Sequence, residues 1–209
     1  MIAGEQSADE MLDLVFPVRG EAIADDHALL LAQALTALLP WWDDEPEAGI
    51  LPLQGVSRSD GNCYVGGRCR LTIRLPRRRA ASADLLCGAR LDIGGFIELG
   101  TAQQRTILAV PVVHSPCVDV GARDEASFQA HCSGLLNARG MRAELVCGRG
   151  RQLRGGRGMI RGFSLMVCGL RPEQTLDLQY QGLGFHRHLG CGIFVPHKNV
   201  ASVGGDPGN

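Results

Sequence analysis

The strongest constraint in the chain is a glycine-rich segment near its C-terminus, residues 181–196, which reads QGLGFHRHLGCGIFVP. Two glycine pairs flank the central FHRHL: Gly182 with Gly184, and Gly190 with Gly192. Glycine permits positive φ and close backbone approach, so successive N–H groups can converge on an anion. The apolar run at residues 193–195 predicts a strand directly after it. The segment should therefore be a phosphate-binding loop anchored in a sheet.

Three cationic or near-neutral side chains stand between the glycine pairs, at the predicted tip of the loop: His186, Arg187 and His188. Arginine offers a fork of donors that fits a phosphate group. This pattern indicates a polyanion as the ligand. The two histidines could instead chelate a metal, but no second pair of ligands supports that interpretation, and no metal or cofactor is expected.

The order of apolar runs predicts the fold. In the first half they indicate strands and helices at residues 12–18, 27–39, 69–75, 82–87 and 89–99. In the second half they do so at residues 110–120, 124–140, 143–147, 159–168, 172–178 and 193–195. Each half follows the order strand, helix, strand, strand, helix, strand, which is typical of a ferredoxin-like unit. We therefore predict an α+β protein of two tandem ferredoxin-like (RRM-like) domains, residues 1–103 and 104–209, with the glycine-rich loop at the C-terminal end.

Charge is distributed unevenly along the chain. Residues 1–50 contain 11 of the 22 acidic residues but only one of the 21 basic residues. Eight arginines lie between residues 139 and 171 against one acid, Glu144. Such a stripe is the electrostatic footprint of a protein that binds a phosphate backbone. Four of these arginines belong to a glycine-rich turn predicted to contact nucleic acid: Arg151, Arg154, Arg157 and Arg161. The alternative is an ordinary solvated turn.

Other features limit the class of protein. No apolar run approaches the ~20 residues of a membrane helix, and the start MIAGEQSADE has no leader pattern, so a cytoplasmic protein is expected. The eight cysteines form no CxxC pairs and are expected to be buried, reduced thiols. Trp41 and Trp42 are expected to anchor the core or a domain interface. The tail from Lys198 is expected to be disordered.

His27 is the candidate for chemistry. It lies one turn before Leu31, at the start of the first helix, which Asp25 or Asp26 is predicted to cap. This helix is apolar nearly all round and is expected to be covered on more than one side. Histidine titrates near neutral pH and can act as a general acid or base. The alternative is a partly buried histidine with no chemical task. His186 or His188 could supply a second titrating group if the loop folds over this site.

Three further segments occur in a characteristic order with the glycine-rich loop: DLVFPVRG at residues 13–20, ADDHALLL at 24–31 and RQLRGGRGMIRGF at 151–163. Together they resemble the RAMP superfamily of CRISPR systems and, within it, the repeat-processing endoribonucleases of the Cas6 family, myxan subtype. The resemblance implies that His27 is catalytic. The family places an aromatic residue shortly after this histidine, whereas the chain has Ala28, Leu29 and Leu30, so no partner tyrosine is expected.

The resemblance also implies a substrate and a mechanism. The substrate would be the hairpin of CRISPR repeat RNA, cut without a metal when the ribose 2′-hydroxyl attacks the adjacent phosphate. Other subunits of an RNA-guided effector complex would be partners. Two alternatives remain: a catalytically inactive RNA-binding RAMP subunit, and a protein-interaction module whose acidic first 50 residues dock a basic partner.

Overall fold

A computed structural model describes residues 10–60 and 62–197. The predicted disordered tail from Lys198 and the start of the chain lie outside these residues. The first half contains the strands β1 (Met11–Gly20), β2 (Ala22–Ala24), β3 (Gly49–Ser59), β4 (Asn62–Pro76), β5 (Arg90–Asp92), β6 (Phe96–Leu99) and β7 (Gln103–Thr106), with the helix α1 (Ala28–Leu38) and 3₁₀ turns at Arg77–Arg79 and Ala81–Leu86. The second half contains β8 (Val112–Val118), α2 (Glu125–Ala138), β9 (Glu144–Gly155), β10 (Gly158–Cys168), α3 (Pro172–Gln181), a 3₁₀ turn at Arg187–Leu189, and β11 (Val195–Pro196).

The sheet of the second half has the strand order β11-β8-β10-β9, with all neighbours antiparallel. In the first half β3 pairs with β4, β4 with β1, and β1 with both β6 and β7. Both arrangements follow the ferredoxin-like order, in which the first and third strands are central. The predicted α+β fold with two ferredoxin-like units is therefore confirmed.

Local sequence accounts for the helices of the second half. Asp124 caps α2: its carboxylate accepts a hydrogen bond from the Ser127 amide at 2.8 Å, as predicted from the sequence. Pro172 occupies the first turn of α3, where its missing N–H has no intrahelical acceptor to lose. The apolar stripe of α2 buries Phe128, Cys132 and Leu136 against the sheet. These contacts form the core of the second half.

The helices of the first half depart from the prediction in two ways. The second helix is a 3₁₀ segment, Ala81–Leu86, rather than an α-helix. α1 is covered on more than one side as predicted, by β5, β9 and the 3₁₀ turn Arg187–Leu189, with Leu30 and Leu38 each 37% exposed. The α1 N-cap is His27, not Asp25 or Asp26. The reason is that those two carboxylates bind elsewhere: one accepts from the Cys63 thiol at 3.2 Å and the other from the Arg154 amide at 3.3 Å.

The pairing of β7 bears on where the two halves divide. Gln103–Thr106 forms β7 and pairs with Leu12–Val15 of β1 in the first sheet. The predicted boundary after residue 103 would cut this strand from its sheet. We therefore propose that the second unit begins after Thr106.

A buried arginine joins the two halves. Arg74 of β4 is 1% exposed and forms a bidentate ion pair with Asp13 at 2.7 and 3.0 Å. Its remaining nitrogen donates to the carbonyls of Gln179 and Phe194 in the second half, at 2.9 and 2.7 Å. One side chain therefore fixes both sheets to each other, since a guanidinium can donate in several directions at once.

Several acidic residues of the first 50 are also used internally. Glu45 is 3% exposed and binds Arg78 and Arg79 at 2.9 and 3.1 Å, and Glu10 binds Arg77 at 3.2 Å. Trp42 is fully buried in the core, as expected, and the Arg79 guanidinium lies 5.1 Å from the ring centre of Trp41. This internal pairing removes Glu10 and Glu45 from the acidic side chains that could bind a basic partner.

The cysteine prediction holds only in part. All eight are free thiols, and five are buried: Cys63, Cys69, Cys117, Cys132 and Cys191. Cys87 is exposed, and Cys147 and Cys168 are half-buried. No helix among the described residues is long and apolar enough to span a bilayer.

Candidate active site and nucleic-acid interface

His27 is placed at the N-terminus of α1 with a defined orientation. The residue is 8% exposed, and its Nδ1 lies 2.8 Å from the carbonyl oxygen of Ala24. Because a carbonyl only accepts, Nδ1 carries the hydrogen in this contact. The neutral ring then keeps its lone pair on Nε2. The backbone thus fixes the tautomer that a general base requires.

A narrow cleft of about 70 Å³ opens beside His27. Its walls come from both halves of the chain: residues 25–28 and 50–53 from the first, and Cys117, Arg151 and Gly190 from the second. A space this small admits a reacting group of a polymer rather than a whole base. The fold therefore joins the predicted catalytic histidine with one predicted arginine of the hairpin and one predicted glycine of the loop.

The arginine-rich segment is an ordered hairpin rather than a flexible turn. Residues 144–155 and 158–168 pair antiparallel, with Arg151 opposite Gly162, Arg154 opposite Met159, and a shift of register between Phe163 and Leu165. The connection is only the short Gly-Arg between Gly155 and Gly158. Side chains alternate between the two faces of a hairpin, so its arginines point to two different surfaces.

The hairpin meets the start of α1. Arg151 and Leu153 share one face of the hairpin and line the His27 cleft. Arg154 contacts Asp26 through its backbone amide at 3.3 Å and through Nε at 3.7 Å. Both side chains of this ion pair are exposed, at 73% and 40%, so the pair is weak in water. Asp26 therefore contacts the hairpin close to His27, a contact that its sequence position did not reveal.

The tip of the hairpin, residues 155–161, borders a larger cavity of about 750 Å³. Arg157 and Arg161 line it together with Arg123, Asp119 and His186. His186 adopts a left-handed conformation with φ of 63°, and its Nδ1 lies 2.9 Å from a carboxylate oxygen of Asp119. Sequence analysis missed Asp119 and Arg123, which lie in an apolar run and a short connection with no motif of their own.

The glycine-rich loop differs from its prediction. The N–H groups of Gly182, Gly190 and Gly192 donate to protein carbonyls, those of Leu178, Arg187 and Cys117, at 2.8 to 3.0 Å. The prediction that these amides converge on a phosphate is therefore wrong. A Cβ atom on Gly184 would lie 2.0 Å from the carbonyl oxygen of Asp119, and one on Gly192 would lie 2.1 Å from that of Leu183. These glycines serve close packing of backbone on backbone.

Arg187 is likewise not at an exposed tip. Its Nε donates to the carbonyl of Glu47 at 2.8 Å and its Nη2 to that of Tyr180 at 2.7 Å. Nη1 is buried with no hydrogen-bond partner among the described residues. Burial, with Arg74 nearby, lowers the pKa of Arg187 to about 10, so the group stays charged at neutral pH. Its donors hold the two halves together and are not directed at a phosphate.

His188 also has a packing role. Its Nε2 lies 3.0 Å from the carbonyl of Glu45, and its ring centre lies 5.1 Å from that of Trp42. Neither His188 nor His186 lines the His27 cleft. The expectation that one of them closes over the catalytic histidine is not met by this arrangement. Among residues 10–60 and 62–197, no cluster of three or more His, Cys, Asp or Glu side chains is arranged to hold a metal ion.

Two ferredoxin-like units joined by a buried arginine, with an arginine-rich hairpin beside the cleft between them, define a double-domain α+β protein. The model of the Cas6 family (Cas6 Crispr) matches residues 12–199, and the chain belongs to this family. It is 37% identical over 194 residues to the CRISPR-associated endonuclease Cas6 of Myxococcus xanthus (strain DK1622), covering 92% of this chain and 84% of that protein.

Solved structures share the fold. A CRISPR-associated protein Cas6 matches with a TM-score of 0.67 at 12% identity, covering 90% of this chain and all of the other. Thermus thermophilus Cse3, bound to an RNA representing a pre-cleavage complex, matches with a TM-score of 0.52 at 14% identity over 89% of this chain and 98% of its own. The predicted family and fold are thereby confirmed.

Proposed function

We propose that the protein is an endoribonuclease that binds the hairpin of CRISPR repeat RNA and cuts the precursor transcript by metal-independent transesterification. The observation that carries the proposal is the His27 cleft, where an oriented imidazole and the Arg151 guanidinium lie in one narrow space. Family membership and the likeness to an endonuclease named Cas6 support the same reaction class.

The geometry of the cleft suits the two proton transfers of the reaction. The 2′-hydroxyl attacks the adjacent phosphorus as it loses its proton, and the bond to the 5′-oxygen breaks as that oxygen gains one. The neutral Nε2 of His27 can take the first proton, and a protonated His27 can give the second. The products are a 2′,3′-cyclic phosphate and a 5′-hydroxyl, and no water is consumed.

Arg151 supplies the charge that this reaction needs. Negative charge grows on the phosphate oxygens in the transition state, and a guanidinium stabilises it without giving up a proton. Apolar side chains such as Leu31, Leu53 and Leu189 also line the cleft. They limit the access of water, so the attraction between the guanidinium and the phosphate is screened less. Hairpin arginines outside the cleft then hold other phosphates of the RNA. Assembly with other subunits of an effector complex follows from the family resemblance.

A test of the mechanism uses repeat RNA from the array of the host genome. The protein should cut this RNA in excess EDTA and leave a 2′,3′-cyclic phosphate, which phosphatase treatment and mass spectrometry identify. The same RNA with a single 2′-deoxyribose before the scissile phosphate should bind with unchanged affinity and remain intact. Loss of cutting in EDTA, restored by a divalent ion, or cutting of the deoxy substrate, would contradict transesterification by His27.

The second candidate is an RNA-binding subunit that does not cut. The observation in favour of this candidate is that the lining of the cleft, among the described residues, contains one histidine. The same experiment separates the two: binding of the unmodified repeat with no product at any divalent-ion concentration would favour the inactive subunit.

A further inference from the structure

The larger cavity, of about 750 Å³, lies outside the His27 cleft and none of its lining residues borders that cleft. It is formed by residues 119–123 before α2, by the hairpin tip at residues 155–161, and by His186 of the glycine-rich loop. Its volume lies within the range of pockets that hold a small ligand such as a nucleotide, whereas the His27 cleft is about ten times smaller.

The charge of this cavity favours an anion. Arg123, Arg157 and Arg161 are exposed around it, and none of the three has an ion-pair or hydrogen-bond partner among residues 10–60 and 62–197. The one carboxylate in the lining belongs to Asp119, whose side chain is only 10% exposed. That carboxylate is already bound by His186 and by the Gly121 amide at 2.8 Å. Three free guanidinium groups therefore outweigh one shielded acid.

Two apolar side chains stand exposed, one in the wall of the cavity and one on the residue next to its wall residue His186. Phe185 precedes His186 and is 62% exposed, and Met159 in the cavity wall is 55% exposed. The rings of Phe185 and His186 lie 6.5 Å apart in an edge arrangement. The backbone of Phe185 is held by its amide, which donates to the Asp119 carbonyl at 2.8 Å. An ordered, exposed aromatic beside free arginines is the arrangement that stacks a base and binds its phosphate.

We propose that this cavity binds an unpaired nucleotide of the RNA substrate, with its base on Phe185 and Met159 and its phosphates on Arg123, Arg157 and Arg161. The inference rests on the proposed function, because it assumes that the ligand is the RNA that His27 cuts. The nucleotide must be unpaired, since bases inside a duplex are stacked on each other and offer no free face to an aromatic side chain. The subsite therefore reads a single-stranded flank of the repeat hairpin.

The test compares two RNAs and two phenylalanines. The probes are the repeat hairpin alone and the same hairpin with its single-stranded flanks. Stacking of one base contributes ~1–3 kcal/mol, so Phe185→Ala should weaken binding of the flanked RNA by roughly 5- to 150-fold and leave the bare hairpin unaffected. Phe96→Ala is the matched control, because Phe96 is 55% exposed on β6 and packs on Arg90 away from the cavity. Arg123→Ala should weaken the flanked RNA in the same selective way.

Each outcome bears on a different claim. If the parent protein binds both RNAs equally, or if Phe185→Ala weakens both RNAs alike, the cavity takes no nucleotide of the single-stranded flanks and the proposal is wrong. Cutting of the bare hairpin by the parent would leave the role of His27 intact in that case. If the parent protein neither binds nor cuts either RNA, the proposed function itself is wrong. If Phe185→Ala unfolds at the same temperature as the parent protein, the substitution has changed an exposed side chain and not the fold.

Discussion

The arginine-rich hairpin and the glycine-rich loop have similar compositions but opposite structural roles. Both combine several glycines with arginine, and both are predicted from the sequence to bind phosphate. In the hairpin, Arg157 and Arg161 extend into solvent without partners among the described residues. In the loop, Arg187 donates to two carbonyls of other segments, and the glycines allow backbone segments to touch. Composition alone does not distinguish a surface available for binding from a structural junction. The distinction depends on whether the arginine donors are hydrogen-bonded within the protein.

The comparison assigns a role to each part. We propose that the hairpin binds RNA and that His27 provides the chemistry, while the loop supports the junction of the two halves. Each role makes a different measurable quantity sensitive to mutation: affinity, stability and the rate of cutting.

The largest expected effect is on the rate of cutting. His27→Ala should slow cleavage by roughly 10²- to 10⁴-fold, the usual contribution of one general acid or base, with little change in RNA affinity. His27→Asn should be equally slow, because its side-chain amide can still donate to the Ala24 carbonyl but cannot titrate. Single-turnover assays with saturating protein measure the chemical step.

His131→Ala is the matched control for this prediction. His131 is exposed on α2, and its Nδ1 contacts the carbonyl of Ser127, away from the cleft. It should cut at the parental rate. Parental cutting by His27→Asn would show that the imidazole ring has no part in the reaction.

The sequence predicted most elements because their apolar periodicity is strong, as in β1, β10 and the capped helix α2. It missed β3, since Pro52 and Gly55 interrupt the pattern there. The structure shows why a strand still forms: the β3 to β4 register shifts between Leu51 and Gln54 and again between Gln54 and Val56, so bulges accommodate these residues.

The site was predictable only in part. His27 followed from the resemblance, because nothing in its immediate spacing distinguishes a catalytic histidine from a helix-cap histidine. That Arg151 faces the same cleft depends on packing of the hairpin against α1, more than 100 residues earlier in the chain. Asp119 and Arg187 could not be assigned from sequence for the same reason, since their partners come from distant segments.

The second largest effect should be on stability. Arg187→Ala removes two charge-assisted hydrogen bonds and leaves the Glu47 and Tyr180 carbonyls without this donor, at a cost of about 3 kcal/mol. For a chain of this length the melting temperature should fall by roughly 6–12 °C. Arg157→Ala, the matched variant on the hairpin, should stay within about 0.5 kcal/mol of the parent. Calorimetry measures the melting temperatures of both variants. If Arg187→Ala has the melting temperature of the parent protein, the loop does not have the structural role assigned to it.

The smallest effect should be on the salt dependence of RNA binding, and it tests the hairpin. Arg157→Ala combined with Arg161→Ala removes up to two phosphate contacts, and each contributes roughly 0.7–0.9 to the slope of log affinity against log salt concentration. The slope should become shallower by about one to two units while the cutting rate of bound RNA stays close to parental. Arg105→Ala, an exposed arginine on β7 of the first sheet, should leave the slope unchanged. Equal slopes for the double variant and the parent would mean that the free arginines of the hairpin are only solvated, and that the contrast with the loop does not reflect binding.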